Sequence, residues 1–375
     1  MRASLPSARQ FGDVLSGWRG LGRFWGAVAL LLISVGGVLQ ILGPPSAPPA
    51  SRAAMRQASP AAPLPAESPV ARADPHEADR KPPEPATPTA RLLRPGRDTP
   101  GPVAEPDPGM LEPLAGNPKL LLPRISIDGR APMSLYAAGF DPSTLRPRVA
   151  LLIAGIGMSE ADSMAAIKTL PNGVTLAVSP YAADLTRLLA AARSNEHEYL
   201  LSLPMEPQGY PVNDPDDRTA LMTSVSPTEN MNRLYATLGR VTGYAGVTSV
   251  LGSMRGERLA GIADQFDPVL QDVAARGLFF LDARNNQKPL PFVWSRSIDM
   301  VMDDDPLDAQ TLDQRLDALT HIAQVKGSAV GVVSAPRPVT VDRVAAWANA
   351  LASKGLILAP VSALMRPPAK QDQEK

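Results

Sequence analysis

Eight apolar runs of strand length recur from residue 149 onward, and their spacing limits the fold more than any other feature of the chain. They are Val149 to Ile153, Val174 to Val178, Tyr199 to Leu203, Ala245 to Val250, Leu278 to Leu281, Ile298 to Met302, Ala329 to Val333 and Leu356 to Val361. Most lack strict alternation of apolar and polar residues, as expected of parallel strands covered on both faces. Helical patterns lie between them. Ser226, Pro227, Thr228 and Glu229 form a capping box with proline at the first helical position, and Met231, Leu234, Tyr235 and Leu238 then share one face. Thr311 to Lys326 places Leu312, Leu316, Leu319, Ile322 and Ala323 on one face of another helix. Three helical patterns stop at a basic residue plus glycine and run into a strand: Arg276 and Gly277, Lys326 and Gly327, Lys354 and Gly355. Glycine supplies the left-handed cap and the cation suits the helix dipole. This repeated unit implies βαβ construction. Residues 119–367 therefore read as one α/β domain of roughly 250 residues, the size of a (β/α) barrel.

The segment before this domain has a different texture. Phe24 to Leu42 is uncharged and apolar, close to the ~20 residues that cross a bilayer as a helix. It exceeds the apolar core of about 7 to 15 residues found in cleavable signal peptides. Arg2, Arg9, Arg19 and Arg23 precede it against Asp13 alone, which keeps residues 1–23 cytoplasmic and exports the chain beyond Leu42. The expectation is an uncleaved single-pass anchor over 24–42 in the inner (cytoplasmic) membrane, with the C-terminal domain on the periplasmic side. Residues 43–118 hold roughly half of the 41 prolines and no aromatic residue. With so little apolar surface to offset the entropy of ordering, they read as a disordered, partly polyproline linker. Extended at ~3.1 Å per residue, it would reach up to ~230 Å. Residues 368–375 form a polar tail.

Composition removes several chemistries. The chain has no cysteine, so it has no disulfide, zinc ribbon, iron–sulfur cluster or thiol nucleophile. Its three histidines, at 76, 197 and 321, are too far apart for a local two-histidine metal motif. Thirty-seven basic residues balance thirty-seven acidic ones, which gives no electrostatic footprint for nucleic acid.

In a (β/α) barrel the active site lies at the C-terminal ends of the strands. Those ends read AGIG at Ala154 to Gly157, SLPMEP at Ser202 to Pro207, TSVLGS at Thr248 to Ser253, DARN at Asp282 to Asn285, DDD at Asp303 to Asp305, and SAPRP at Ser334 to Pro338. The block LSLPMEPQGYPVNDP at Leu201 to Pro215, then SPTEN, GYAGVTSVLGS, GLFFLDARN and the closing APVSAL, together resemble the divergent polysaccharide deacetylases, relatives of the NodB-type carbohydrate esterases. The resemblance spans about Pro147 to Leu364. It implies a distorted (β/α) barrel and hydrolysis of acetyl groups on a glycan. In that chemistry aspartate and histidines hold a divalent metal such as zinc, which polarises the acetyl carbonyl and activates water. At the corresponding positions this chain has Ala154 and Gly155 for the aspartate pair, Val250 for a metal histidine, Ser202 for the histidine before LPMEP, and Ala335 and Arg337 in the late histidine motif. Side chains of alanine, glycine and valine coordinate nothing and move no proton.

The polar residues that remain at strand ends have two readings each. Glu206 either satisfies backbone donors in its proline-rich turn or faces a ligand. Asp282 and Arg284 make either a structural ion pair or contacts to sugar hydroxyls. Tyr210 and Trp294 either stack on a sugar ring or pack. With Ser253 and Arg337, the residues Glu206, Tyr210, Asp282 and Arg284 form the expected substrate-binding set. No residue is assigned catalysis outright, and Glu206 and Asp282 are the carboxylates placed where one would act. Asp303, Asp304 and Asp305 either bind a hard cation or form a solvated loop capping the next helix. His197 matches a position of the resemblance, yet it precedes a buried strand and reads as structural.

Three functions are compatible with this pattern. The first is an enzyme-derived barrel with degenerate catalysis and no cofactor, binding envelope polysaccharide, a peptidoglycan fragment or an envelope protein. The second is an active deacetylase whose zinc sits on a rebuilt site of Glu206, Asp282 and Asp303 to Asp305. The third is a non-enzymatic adaptor among envelope proteins. The first is the expectation taken into the structure.

Overall fold

The structure, a computed structural model, describes residues 93–303 and 308–369. The anchor expected at 24–42, the linker up to residue 92, Asp304, Asp305 and residues 370–375 of the tail lie outside them. Among the described residues no helix is long and apolar enough to cross a membrane.

An antiparallel hairpin, β1 (Leu111–Leu114) and β2 (Asn117–Pro123), leads to a short helix α1 (Pro132–Leu135) and then to the barrel. The barrel strands are β3 (Arg148–Ile156), β4 (Thr175–Val178), β5 (Tyr199–Ser202), β6 (Gly246–Thr248), β7 (Phe279–Asn285), β8 (Ser295–Ile298), β9 (Met300–Val301) and β10 (Ser328–Val333). They pair in parallel in the order β8-β7-β6-β5-β4-β3-β10-β9. Because β8 and β9 are consecutive in the chain but stand at opposite ends of this path, the sheet curls into a nearly closed barrel. A last short strand, β11 (Ile357–Leu358), lies beside the start of β3.

The connections carry α2 (Glu160–Thr169), α3 (Thr186–Ser194), α4 (Pro227–Leu238), α5 (Glu257–Ala260), α6 (Ala263–Ala275), α7 (Ala309–Lys326) and α8 (Pro338–Ala350). The capping signals act as the sequence implies. Ser226 Oγ accepts from the Glu229 amide at 3.2 Å, and Leu234 and Leu238 of α4 are buried. Gly277, Gly327 and Gly355 all have positive φ, at 71°, 78° and 78°. There a side chain would cost roughly 1 kcal/mol or more.

Alternate residues of each strand enter two cores. Val149, Leu151 and Ile153 of β3 face the helices, among Ile167, Leu188 and Leu234. Ala150, Leu152 and Ala154 face the barrel interior, with Leu200, Val250, Leu281 and Val332. The interior would be open to water at the N-terminal ends of the strands, and the segment before β3 covers it. Val103, Met110, Met133, Tyr136 and Phe140 pack into that same interior cluster, joined by Val361 and Leu364 from the C-terminal end. The linker boundary at residue 118 is therefore corrected: residues 93–118 belong to the folded domain, because their few apolar side chains fill the barrel's lower end. Strand β8 is a second correction, since its SRSI sequence has no apolar run although all four residues are buried.

Glu198 ties this lower end together. Its carboxylate is fully buried and accepts from the Ala138 amide at 3.1 Å, Thr175 Oγ1 at 2.8 Å, the Ser362 amide at 3.0 Å and Ser362 Oγ at 2.6 Å. One side chain thus joins the N-terminal arm, β4 and the C-terminal turn. Burial pushes its pKa above the ordinary glutamate value, against these donors, which favour the ionised form. The neighbouring His197 is also buried, its Nδ1 2.8 Å from the Val174 carbonyl oxygen and its Nε2 3.1 Å from that of Ile167. Burial pulls its pKa down, with the two carbonyls opposing. It is a packing residue at the end of the barrel remote from the strand C-termini.

Glu198→Ala leaves four buried donors without a partner, at about 1–3 kcal/mol for each such group. Urea unfolding is expected to show a loss of at least ~3 kcal/mol, with Glu198→Gln intermediate. A loss under ~1 kcal/mol for the alanine variant would refute this role for the carboxylate.

Candidate functional site

The C-terminal ends of β3, β4, β5, β6 and β10 surround a cavity of about 810 Å³, within the range of small-molecule sites. Its floor contains Gly155, Ser202, Leu251, Ser334 and Ala335, and its apolar wall includes Met158, Met254, Pro215 and Pro336. Asp162, Asp214, Asp216, Arg218 and Arg337 bring charge of both signs. Tyr181, 36% exposed, stands at the rim. Its hydroxyl donates to the Pro215 carbonyl and lies 3.5 Å from Thr219 Oγ1, so the ring is held by the loop opposite. Burial raises its pKa. Asp216, which pairs with Arg218 at 2.9 Å, belongs to that same loop.

A buried guanidinium spans the mouth of the barrel. Arg255 donates through Nη1 to the Gly252 carbonyl at 2.5 Å and the Met254 carbonyl at 3.1 Å, and through Nη2 to Ser334 Oγ at 3.2 Å. It therefore links the turn after β6 to the end of β10. Both carboxylate oxygens of Asp303 accept from the Ser334 amide, at 2.8 and 2.9 Å.

The structure separates the residues proposed from sequence. Arg337 lines the cavity from the N-cap of α8. Ser253 is exposed on the turn whose neighbours, Gly252 and Met254, line it. Glu206 is buried away from the cavity, where Oε1 pairs with Arg258 at 3.0 Å and Oε2 accepts from the Thr223 amide at 2.6 Å. Asp282 is clamped by Arg284, whose Nε is 3.0 Å from Oδ1 and whose Nη2 is 2.8 Å from Oδ2. Arg284 also donates to the Ala260 carbonyl at 3.0 Å. Tyr210 donates to Asp217 Oδ2 at 2.9 Å and does not line the cavity. Trp294 is half-buried against the interior core. So Glu206, Asp282, Arg284 and Tyr210 each bond to protein partners that tie neighbouring segments together. The helix cap expected of the acidic run comes from Asp308, whose Oδ1 accepts from the Thr311 amide at 2.9 Å. Sequence reasoning missed Tyr181, which follows the end of β4, and Asp162, Asp214, Asp216 and Arg218, which lie farther from the strand ends.

The divalent metal implied by the resemblance can be tested against these donors. Ala154 and Val250 are fully buried and offer no ligand atom. Gly155 has φ 74°, and a Cβ there would lie 3.2 Å from the Ser334 carbonyl oxygen. Glu206 and Asp282 are each paired with an arginine. Among the described residues no three His, Cys, Asp or Glu side chains are grouped to hold an ion. The described residues do not fit a zinc site.

The fold is a nearly closed parallel barrel of the deacetylase type with a cavity at its strand ends. The model of the divergent polysaccharide deacetylase family matches residues 151–365, and the chain belongs to that family. It is similar in structure to the uncharacterized protein ATU2773 from Agrobacterium tumefaciens C58, with 30% identity and a TM-score of 0.59 over 65% of this chain and 98% of that one. The catalytic domain of peptidoglycan N-acetylglucosamine deacetylase from Eubacterium rectale ATCC 33656 aligns at 13% identity and TM-score 0.37, covering 61% of this chain and 94% of that one. A putative polysaccharide deacetylase from Mycobacterium smegmatis aligns at 12% and 0.38, covering 64% and 99%. No curated protein matches the chain.

Putting the family's ligands back should fail. Ala154→Asp buries a carboxylate in an apolar interior, and an unpaired buried charge costs ~3 kcal/mol or more. The triple variant Ala154→Asp, Gly155→Asp, Val250→His is expected to unfold at lower urea concentration, with no recovery on adding zinc. A zinc-dependent rise of its midpoint to the wild-type value would show that the mouth still has a metal-site shape.

Proposed function

We propose that the protein is an exported, membrane-anchored member of its family that binds an acetylated envelope glycan in the strand-end cavity and does not hydrolyse it. The observation that carries this reading is the cavity at the strand ends, whose lining includes Gly155, Ser202 and Ala335, positions at which the family resemblance implies metal-binding side chains. The chemistry left there is that of recognition. Tyr181 offers a fixed aromatic face with a polar tip, suited to the apolar side of a sugar ring. Ser202 and Arg337 offer hydrogen-bonding groups to ring substituents, and Met158 and Met254 adapt to an acetyl methyl. No imidazole lines the cavity, so the Ser202 hydroxyl has no adjacent base of the kind that activates a serine nucleophile.

The anchor expected at 24–42 would hold the domain at the inner membrane facing the periplasm, where peptidoglycan is within reach of a long tether. The full-length protein is expected to bind acetylated chitin or peptidoglycan fragments, to release no acetate from them, and to carry no stoichiometric zinc by elemental analysis. Acetate release that tracks about one equivalent of zinc and vanishes in Glu206→Ala or Asp282→Ala would overturn this reading in favour of an active enzyme. Failure of every fragment to bind would remove the glycan itself.

A further inference from the structure

A second compartment adjoins the strand-end cavity at Tyr181. It has a volume of about 530 Å³, shares Tyr181, Asp216 and Arg218 with that cavity and continues down the side of the barrel. One wall is a single face of α4, from Glu229 through Asn232, Arg233 and Ala236 to Thr237, with Arg240 just beyond the helix end. At 1.5 Å per residue that face is about 12 Å long. The other end is closed by Asn117 and Leu120 of β2, which precede residues 151–365 matched by the family model.

The position of β2 is fixed by a close approach. A Cβ placed on Gly239, just past α4, would lie 2.3 Å from Leu120 Cδ1. Leu120 therefore occupies the space that any larger residue at 239 would fill. Arg240 closes the same corner by donating through Nε to the Pro180 carbonyl at 3.0 Å. The N-terminal arm is thus part of a groove wall as well as a plug for the barrel.

We infer that this groove binds the continuation of the glycan chain, so that the ligand is a polymer several sugars long, bent over Tyr181 with one end in the strand-end cavity. The inference rests on the glycan reading proposed above and adds the second compartment and the arm to the binding surface. Two observations favour a sugar chain here. Glu229 is paired with Arg233, and Asp216 with Arg218, beside Arg240, so most of the charge on the wall is already compensated, which suits a polyhydroxyl chain better than a strongly charged polymer. Tyr181, shared by both compartments, supplies the aromatic face at the bend.

Affinity of the full-length protein for the dimer and the hexamer of N-acetylglucosamine, measured by calorimetry, tests this. Ala236 is exposed on α4, so Ala236→Trp fills the second compartment without disturbing a core. The wild type is expected to bind the hexamer about tenfold or more tighter than the dimer, a difference of about 1.4 kcal/mol. Ala236→Trp should erase that gain and leave dimer affinity unchanged. Tyr181→Ala should weaken both ligands. Equal affinity of the wild type for the two oligomers, or a length gain that survives Ala236→Trp, would overturn the inference while leaving glycan binding in place. Binding of neither oligomer would sink the glycan reading along with it.

Discussion

The buried Glu198 carboxylate is the interaction on which the rest of the barrel depends. A barrel of short parallel strands has an apolar interior that must be covered at the end opposite its ligand site, and here two distant segments do so. Glu198 gives both a common anchor, with Ala138 on the arm, Thr175 on β4 and Ser362 on the C-terminal turn all bonded to one side chain. Thr175 Oγ1 in turn accepts from the Val361 amide at 2.9 Å. A buried carboxylate is expensive unless all its lone pairs are used, and four donors use them. The strand that begins next to it, β5, ends at Ser202 on the cavity floor. The scaffold thereby fixes the lower end rigidly and leaves its upper loops to carry recognition.

At the upper end, ion pairs and a guanidinium tie the strand ends and their loops together. Arg255 links the ends of two strands that do not neighbour each other, and Asp303 receives the Ser334 amide between them. These protein contacts hold the shape of the mouth.

Much of the barrel was legible in the chain because burial on both faces leaves apolar runs, and because glycine caps after Arg276, Lys326 and Lys354 can be read directly. Strand β8 was not legible. Ser295 and Ser297 are buried through hydrogen bonds, Ser295 Oγ accepting from the Leu290 amide at 2.7 Å and Ser297 Oγ donating to the Gln287 carbonyl at 3.0 Å, and Arg296 is buried against Asp299. A polar strand with its own partners carries no hydrophobic signal. The arm before residue 119 was hidden by its prolines: average composition suggests a tether, while a few residues such as Val103 and Met110 do the packing. For the site, proximity to a strand end selected Arg337, which lines the cavity, but also Glu206 and Asp282, which do not. Asp282 pairs with Arg284 two residues along the same strand, one of the two readings open in the sequence, whereas Glu206 pairs with Arg258 on the distant helix α5, a contact that depends on the path of the chain between them. Tyr181 meets the loop at Pro215 and Thr219 across more than thirty residues of sequence, a contact that local pattern does not encode.

The proposal that the strand-end cavity holds no metal centre is tested most directly by crystals of the protein grown with excess zinc and measured at the zinc absorption edge. The expected result is no ordered anomalous peak at the barrel mouth, with Asp282 still clamped by Arg284. A full-occupancy zinc at a coordination distance of about 2.0–2.2 Å from Asp282 or another mouth carboxylate would contradict it.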